Sequence, residues 1–382
     1  MRLLIDHQIP LAEAFFGELG ALRRLPGREI DATAVADADI LIVRSVTWVD
    51  EALLAGSRRL HFVGTCTIGT DHVDRQALDA RNIGFASAPG CNAEAVVDYV
   101  LSSLLLVCER EGVELDARRV GIVGVGNVGG RLHRRLAALG VECLLCDPPR
   151  AEKEGADGFV SLDTVLEQAD IVCLHTPLVV DGPHATHHLL DAARIHQLQP
   201  GTVLLNAGRG ACLDGEALHE RLAQRADLTA ILDVWEREPA IDEALWQQVD
   251  IATPHIAGHS LDGKMRGTEQ VYQAVMQYLG LPIRHHLVDL APPPALQRLV
   301  LDAGYGVWEA LRLCVRACYD VRRDMMALAG ERQRLGMAAG FDYCRANYPL
   351  RREFSTLEIA LGPGAVELEP WLSAAGFRVT MS

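Results

Sequence analysis

The sequence predicts an α/β protein built on parallel β-sheets, and three patterns support this prediction. The first 90 residues alternate short apolar strands with helical segments, which is typical of a parallel sheet. Residues 119–147 read as a strand, a glycine-rich turn, a helix and a second strand. Three later apolar strands, at 202–205, 228–232 and 249–253, each run into a polar loop. Because parallel strands end at one edge of their sheet, these loops are expected to lie side by side.

The glycine-rich turn, Gly124 to Gly129, has the spacing of a dinucleotide-binding loop. Gly124 permits the tight turn, Gly126 lets the backbone approach a pyrophosphate, and Gly129 lets the following helix pack close to the sheet. The N-terminus of that helix then faces the anion. Asp147 follows Gly129 by 18 residues, where a carboxylate can accept hydrogen bonds from a ribose and repel a 2'-phosphate. The sequence therefore predicts a Rossmann-type domain that binds NAD rather than NADP.

Composition excludes several other classes of function. The chain has 382 residues and a net charge of -15, which argues against nucleic acid or an anionic membrane as a partner. Asp6 interrupts the N-terminal apolar run too early for a signal peptide, and no apolar stretch is long enough to span a membrane. Ten cysteines without a disulfide framework indicate a reducing, cytoplasmic location. The histidines at 184, 187 and 188 have no ligand partners at a usable spacing, so no metal site is expected.

Two strand ends near the N-terminus carry polar groups that could bind a small anion. One is the segment 41–47, which contains Arg44 and Ser45, and the other is the segment 64–71, which contains Thr67. Ligands of open α/β sheets bind beyond the carboxyl ends of strands, where hydroxyl and backbone N–H groups can hold a carboxylate or phosphate. Ordinary turn formation explains the same residues equally well. From these segments alone, both interpretations stay open.

The three later strand ends carry one arginine, one carboxylate and one histidine. His255 could take a proton from a substrate hydroxyl, because imidazole titrates near neutral pH. Glu238 could accept the other ring N–H, and Arg209 could clamp a carboxylate with its planar fork. Asp233 lies where it could hold the nicotinamide carboxamide, and Thr176 lies at the edge where a cofactor would pass. Such a set suits the oxidation of a 2-hydroxy acid.

These motifs resemble the D-isomer-specific 2-hydroxyacid dehydrogenases. The resemblance rests on Gly124–Gly129 with Asp147, on the Gly208-Arg209-Gly210 turn, and on the segments 233–239 and 254–258. It implies NAD as cofactor, a small phosphorylated 2-hydroxy acid as substrate, and the catalytic residues Arg209, Glu238 and His255. It also implies substrate contacts from Ser45, Thr67 and His259, the last in place of a usual tyrosine. The implied cofactor contacts are Gly124, Gly126, Asn127, Val128, Gly129, Asp147, Thr176, Ala207, Gly208, Arg209, Asp233 and Gly258.

The resemblance also implies a three-domain organisation. A flavodoxin-like substrate (lid) domain is expected at 1–92 and 264–288, with the Rossmann-type NAD domain, 93–263, inserted into it. Residues 289–382 are expected to form a small α+β dimerisation domain, with one helix at about 305–328, so that the protein is a homodimer. We also hypothesise that Arg345, Arg351 or Arg352 helps to bind the substrate phosphate across the dimer.

Two alternatives stay open at this point. The substrate could be another acid of the same class, such as 3-phosphoglycerate. The chain could also be an interaction protein that keeps the dehydrogenase fold and senses NAD. A turnover assay separates an enzyme from such a sensor.

Overall fold

The computed structural model describes residues 1–382, which form two compact units. Unit 1 contains Met1–Ala93 and His259–Pro293, and unit 2 contains Glu94–Gly258 and Pro294–Ser382. Every strand pairing within the three sheets is parallel, so the predicted α/β class is confirmed. No helix combines the length and the apolar character needed to cross a lipid bilayer.

Unit 1 contains one five-stranded sheet with the strand order β2-β1-β3-β4-β5. This is the flavodoxin-like order, and it agrees with the predicted fold of this part of the chain. The strands are β1 (Arg2–Asp6), β2 (Ala21–Leu25), β3 (Ile40–Val43), β4 (Phe62–Thr65) and β5 (Gly84–Ala86).

Unit 2 contains a six-stranded sheet and a three-stranded sheet. The six-stranded sheet has the order β11-β10-β9-β8-β6-β7, so β7 is added on one side of β6 and β8 and the later strands are added on the other side. In open α/β sheets this change of side marks the ligand crevice. The strands of the larger sheet are β6 (Arg119–Val123), β7 (Glu142–Cys146), β8 (Ile171–Leu174), β9 (Val203–Asn206), β10 (Thr229–Leu232) and β11 (Ile251–Ala252). The smaller sheet consists of β12 (Arg298–Leu301), β13 (Glu358–Leu361) and β14 (Arg378–Met381).

The α-helices connect these strands and are numbered in chain order. Those before residue 125 are α1 (Ala12–Phe16), α2 (Ala32–Val35), α3 (Glu51–Leu54), α4 (Arg75–Asp79) and α5 (Ala93–Glu111). Those up to residue 250 are α6 (Gly129–Ala138), α7 (Pro148–Glu154), α8 (Leu162–Gln168), α9 (Ala192–Gln197), α10 (Gly215–Arg225) and α11 (Glu243–Gln248). The remaining ones are α12 (Leu261–Tyr278), α13 (Leu287–Leu290), α14 (Val307–Cys318), α15 (Val321–Leu335), α16 (Met337–Ala346) and α17 (Glu369–Ala374).

Short polar side chains fix where many of these helices begin. The N-cap residues of α2, α3, α4 and α10 are aspartates whose carboxylates accept the backbone N–H three residues later. Ser260 caps α12 in the same way, with 2.8 Å between its Oγ and the nitrogen of Gly263. Each such cap stabilises its helix by about 1 kcal/mol. The sequence therefore marks the helix that follows each strand-end loop.

The larger core of unit 2 joins the six-stranded sheet to the C-terminal residues. Apolar side chains of α5 and β6, such as Leu104 and Ile122, belong to the same buried cluster as Leu311, Phe354 and Phe377. The three-domain organisation predicted from the resemblance stays a prediction. In the structure, residues 294–382 share one compact unit and one apolar core with residues 94–258, which contain the glycine turn.

The structure differs from the sequence prediction in its last hundred residues. Strand β12 was not predicted, and the single helix expected at 305–328 is two helices, α14 and α15, which meet at Tyr319 and Asp320. Asp320 caps α15 by accepting the N–H of Arg322 at 3.1 Å, and Ser102 bridges the break by bonding the carbonyl of Tyr319 and the N–H of Val321. These contacts favour a break that the apolar periodicity does not reveal.

Candidate active site

The glycine turn after β6 has the geometry that a dinucleotide requires. Gly124 has a φ of +87°, which favours glycine, and a Cβ at Gly129 would lie 2.1 Å from the carbonyl oxygen of Gly124. Helix α6 therefore packs against the turn only because residue 129 is glycine. At Gly126 no atom lies within 4 Å of the position that a Cβ would occupy, so the backbone is open to a ligand there. Asn127 and Val128 lead from this open turn into the N-terminus of α6.

Asp147 is built into the same turn. One carboxylate oxygen accepts the N–H of Val125 at 2.8 Å, and the other accepts the N–H of Arg150 at 3.1 Å as the N-cap of α7. The side chain thus lies beside the glycine turn, as the spacing predicted. Each carboxylate oxygen can accept a second hydrogen bond, so Asp147 can still receive a ribose hydroxyl. The residues present fit NAD.

The loop after β8 forms the other wall of this crevice. A Cβ at Gly124 would lie 2.9 Å from the carbonyl of His175, so the two loops touch. The hydroxyl of the buried Thr176 donates to the Cys212 sulfur at 3.4 Å, and burial lowers the pKa of His175 to about 4. His175, a residue that the sequence analysis did not select, is therefore neutral at physiological pH.

The three catalytic candidates stand at neighbouring strand ends. Asn206 of β9 pairs with Leu232 of β10, and Leu232 pairs in turn with Ala252 of β11. The loops that carry Arg209, Glu238 and His255 therefore leave one edge of the sheet in adjacent positions, as the sequence predicted. In addition, a Cβ at Gly210 would lie 2.0 Å from the carbonyl of Trp235. Only a glycine there lets the Arg209 loop approach the loop that holds Glu238.

His255 and Glu238 form a hydrogen-bonded pair. The distance between His255 Nδ1 and Glu238 Oε2 is 2.7 Å, and the other oxygen of Glu238 accepts the N–H of Trp235 at 2.9 Å. Burial alone would raise the pKa of Glu238, but His255, the N–H of Trp235 and the charge of Arg345 lower that pKa overall. Glu238 is therefore ionised at neutral pH and can stabilise a proton on His255. Nε2 is left as the ring nitrogen that can exchange a proton with a substrate.

A buried carboxylate holds the histidine loop in shape. His255 has a φ of +54°, a strained conformation for this residue type, and its N–H donates to the carbonyl of Asp233 at 2.7 Å. The Asp233 side chain is 1% exposed and accepts three hydrogen bonds, from Thr253 Oγ1 at 2.7 Å and from the N–H groups of Ile256 and Ala257 at 2.9 Å. Asp233 therefore supports the loop backbone. Its predicted contact with the nicotinamide carboxamide stays a prediction.

The arginine loop is held by Asn206. Its side-chain nitrogen donates to the carbonyl of Arg209 at 3.0 Å, and its oxygen accepts the N–H of Gly208 at 3.1 Å. Arg209 itself donates from Nη1 to the carbonyl of Gly208 at 2.9 Å. Ala207 continues β9, with its N–H directed at the carbonyl of Leu174. The backbone of the turn that presents the guanidinium is thus fixed from within unit 2.

Arg351, from the C-terminal residues, contacts the histidine loop from inside the protein. Its guanidinium donates to the carbonyl of Ala257 at 3.1 Å and to that of Ala95 at 2.5 Å, and it stacks on the ring of Tyr319 at 3.6 Å. Only 5% of the residue is exposed. Two nitrogens of the Arg351 guanidinium thus bond backbone carbonyls within unit 2, whereas its Nε has no hydrogen-bond partner, and the hypothesised contact of Arg351 with the substrate phosphate stays a prediction. Sequence reasoning missed this structural role because the contact spans 94 residues.

The predicted substrate contacts belong to unit 1. Ser45 is exposed just after β3, and Thr67 follows β4. The Thr67 hydroxyl lies 2.7 Å from that of Thr65 and donates to the carbonyl of Gly69 at 2.9 Å. His259 is the first residue of the returning segment of unit 1, directly after Gly258 of unit 2. Their roles in substrate binding stay predictions.

His188 has acidic neighbours that the sequence spacing did not reveal. Its Nε2 lies 2.6 Å from Glu236 and its Nδ1 lies 3.7 Å from Asp214. The two carboxylates thus meet opposite nitrogens of the ring, an arrangement that ties three loops together. Both carboxylates also accept backbone N–H groups, those of Gly215 and Ala217. These contacts join one imidazole and two carboxylates in a single cluster.

Comparison with known proteins identifies the family. Residues 107–257 match the NAD binding domain of the D-isomer specific 2-hydroxyacid dehydrogenases, and residues 290–376 match a domain of unknown function. A protein of Chromohalobacter salexigens named erythronate-4-phosphate dehydrogenase is 63% identical over 382 residues, which is the full length of both chains. The chain belongs to the erythronate-4-phosphate dehydrogenase family. The resemblance found in the sequence is thereby confirmed.

Two further relatives show how much of the chain this family shares. The erythronate-4-phosphate dehydrogenase of Azotobacter vinelandii is 51% identical and aligns with 98% of this chain and 99% of its own length. The crystal structure of the TT0316 protein from Thermus thermophilus is 29% identical, with a TM-score of 0.63, and covers 75% of this chain and 99% of that one. The likeness to erythronate-4-phosphate dehydrogenases therefore includes the C-terminal residues.

Proposed function

We propose that this chain is an NAD-dependent dehydrogenase that oxidises 4-phospho-D-erythronate to (R)-3-hydroxy-2-oxo-4-phosphooxybutanoate, a step of pyridoxal 5'-phosphate biosynthesis. The observation that carries the chemical part of this proposal is the 2.7 Å hydrogen bond between His255 and Glu238 beside the Arg209 loop. The full-length likeness to erythronate-4-phosphate dehydrogenases supports the choice of substrate.

His255 acts as the base in this proposal. Its Nε2 takes the proton of the 2-hydroxyl group, while Glu238 holds Nδ1–H and stabilises the imidazolium that forms. The strained backbone of His255, fixed by Asp233, sets the direction in which the ring points. Proton removal therefore uses a residue that is oriented before the substrate arrives.

Arg209 clamps the substrate carboxylate and polarises the oxygen at C2, where the carbonyl develops. Ser45, Thr67 and His259 contact the substrate from unit 1. His259, where the family usually has a tyrosine, keeps a hydrogen-bonding ring but has a shorter reach.

NAD, when bound, accepts the hydride that leaves C2. The residues that would hold it are the turn Gly124 to Gly129 with Asn127 and Val128, Asp147 at the ribose, Thr176, the turn Ala207 to Arg209, Asp233 and Gly258. The open backbone at Gly126 and the remaining acceptor capacity of Asp147 support this placement.

We also propose that the protein is a cytoplasmic homodimer joined through its C-terminal residues. Large apolar side chains are exposed there, including Val300 at 59%, Met326 at 74% and Leu350 at 81%. A partner chain that covers these side chains would remove their apolar surface from water. All ten cysteines are free thiols, which supports a reducing compartment.

Initial rates with a panel of acids test the proposed activity. We expect the highest kcat/KM with 4-phospho-D-erythronate and NAD, and much lower values with 3-phosphoglycerate, D-lactate or NADP. A preference for 3-phosphoglycerate would replace the proposed substrate by another acid of the class. Binding of NAD without turnover of any acid would instead support a sensor on the same fold.

A further inference from the structure

Lysine is rare in this chain, and one of its two lysines occupies an unusual position. Of 36 basic residues only Lys153 and Lys264 are lysines. Lys153 is exposed in α7, whereas Lys264 is partly buried in the first turn of α12. The structure shows no hydrogen bond or ion pair for the Lys264 ammonium group. A partly buried cation without an acceptor is costly unless a ligand supplies the missing negative charge.

Helix α12 brings Lys264 to the carboxyl ends of the strands of unit 1. One turn after Lys264, a Cβ at Gly267 would lie 2.9 Å from the carbonyl oxygen of Cys66, so the helix packs directly on the segment between β4 and Thr67. The next residue, Thr268, donates to the carbonyl of Pro10 at 3.0 Å. Side chains three residues apart share one face of a helix, so Lys264 lies on the face that meets these loops.

Arg44, just after β3, supplies a second positive charge to the same region. Its Nε donates to Asp6 at 3.0 Å, and Asp6 is completely buried and also accepts the N–H of Gln8. His7 lies on the other side of this carboxylate, 3.6 Å from Asp6. Asp6 thus pairs with Arg44, and the buried Asp262 is the acidic residue in the first turn of α12 beside Lys264.

The electrostatics of Lys264 agree with this arrangement. Burial lowers the pKa of Lys264 below its usual value, and the nearby charge of Arg44 lowers it further. An anion placed between the two cations would raise the pKa of Lys264 again, because an opposite charge favours the protonated form. The hydroxyl groups of Ser45 and Thr67, which follow β3 and β4, are the neutral donors of this strand edge.

We propose that Lys264 and Arg44 form the subsite for the phosphate group of the substrate, and that Lys264 is the residue that selects a phosphorylated acid. This inference rests on the proposed function and deepens it. A phosphate monoester carries a charge of nearly -2 at neutral pH, which matches two cations better than one. Lysine binds phosphate as a compact point charge, and the guanidinium of Arg44 adds the planar donors that suit phosphate oxygens.

The test compares phosphorylated and plain substrates in matched variants. Lys264→Met should raise the KM for 4-phospho-D-erythronate at least tenfold and leave kcat/KM for D-erythronate within about twofold of its original value. Lys153→Met, the other lysine, should change neither. Lys264→Arg, which keeps the charge, should recover part of the lost affinity. An equal loss with both substrates, or no loss with either, would overturn the proposal.

A binding measurement separates this inference from the proposed function. Calorimetric titration with inorganic phosphate should show binding that Lys264→Met weakens at least tenfold, while the affinity for NAD, which reports on intact folding, stays the same. If the original protein fails to oxidise 4-phospho-D-erythronate but binds phosphate through Lys264, the proposed function fails and the anion subsite stands. If phosphate binding is the same in both proteins, the subsite is wrong whatever the turnover shows.

Discussion

The polar strand ends of unit 2 and those of unit 1 differ in how completely their groups are already bonded. In unit 2, Glu238 is fixed by His255 and by Trp235, and Asp233 accepts three hydrogen bonds from the histidine loop. In unit 1, Ser45 is exposed and Lys264 has no acceptor. The difference indicates a division of labour. In the proposed function, the groups that would move a proton are preorganised, whereas Ser45 and Lys264, which would contact the substrate, keep unused bonding capacity for it.

The largest effect is expected when the preorganised base is removed. His255→Asn keeps a polar side chain of similar size but offers no ring nitrogen to accept the hydroxyl proton. We expect kcat to fall by about 10³-fold, within the range of lost general acid–base catalysis. The affinity for NAD, measured by fluorescence titration, should be unchanged. A fall of less than tenfold would mean that another group removes the proton.

A smaller effect is expected when the histidine stays but loses its carboxylate partner. Glu238→Gln keeps the shape of the side chain and removes the charge that supports the imidazolium. We expect kcat to fall by about 10²-fold, because outer partners of a catalytic histidine typically contribute this much. Initial rates of both proteins, measured under the same conditions at saturating substrate and NAD, check this expectation. Unchanged turnover would show that the 2.7 Å contact serves folding alone.

The same variant makes a prediction about stability and pH. The pKa of Glu238 is lower in the folded protein than its ordinary value of 4.5, so its ionised form stabilises the fold. This stabilisation is fully present above pH 4.5 and is lost as the pH falls through the lowered pKa. Urea unfolding between about pH 7 and pH 3 should therefore show a weaker loss of stability on acidification in Glu238→Gln than in the original protein. Parallel pH profiles would contradict the assignment.

A substitution of Arg351 measures how much the C-terminal residues contribute to the geometry of the histidine loop. Arg351→Met removes the bonds to the carbonyls of Ala257 and Ala95 while keeping much of the side-chain volume. We expect lower unfolding stability and a fall in kcat of about tenfold, because the histidine loop loses one of its supports. Arg334→Met, at a surface ion pair, is the control and should change neither quantity. Normal kcat in a destabilised Arg351→Met would limit its role to folding.

Residue spacing was sufficient to predict the parts of the site that follow a strand directly. The glycine turn, Asp147 and the pair of Glu238 and His255 lie one to six residues beyond a strand, and parallel pairing then dictates their place at the sheet edge. Arg351 and Lys264 could not be predicted in this way. Arg351 contacts carbonyls that are distant in sequence, and α12 carries Lys264 to loops that are distant in sequence, so both positions depend on tertiary packing that periodicity does not encode. The break between α14 and α15 depends on Ser102, more than 200 residues away.

The smallest expected effect concerns the choice between NAD and NADP, and it is expected at Asp147. Asp147 is already bonded to Val125 and Arg150, like the groups of unit 2, yet each of its oxygens can accept one further bond, like the groups of unit 1. Asp147→Asn keeps one oxygen to cap α7, loses the acceptor for the Val125 N–H, and removes the charge that repels a 2'-phosphate. We expect the ratio of kcat/KM for NAD to that for NADP to fall about tenfold, which is about 1.4 kcal/mol. Arg150, whose guanidinium donates to the carbonyl of Val125 at 2.6 Å, is placed to meet the added phosphate. If the ratio does not change, the preference for NAD arises from the shape of the crevice rather than from this carboxylate.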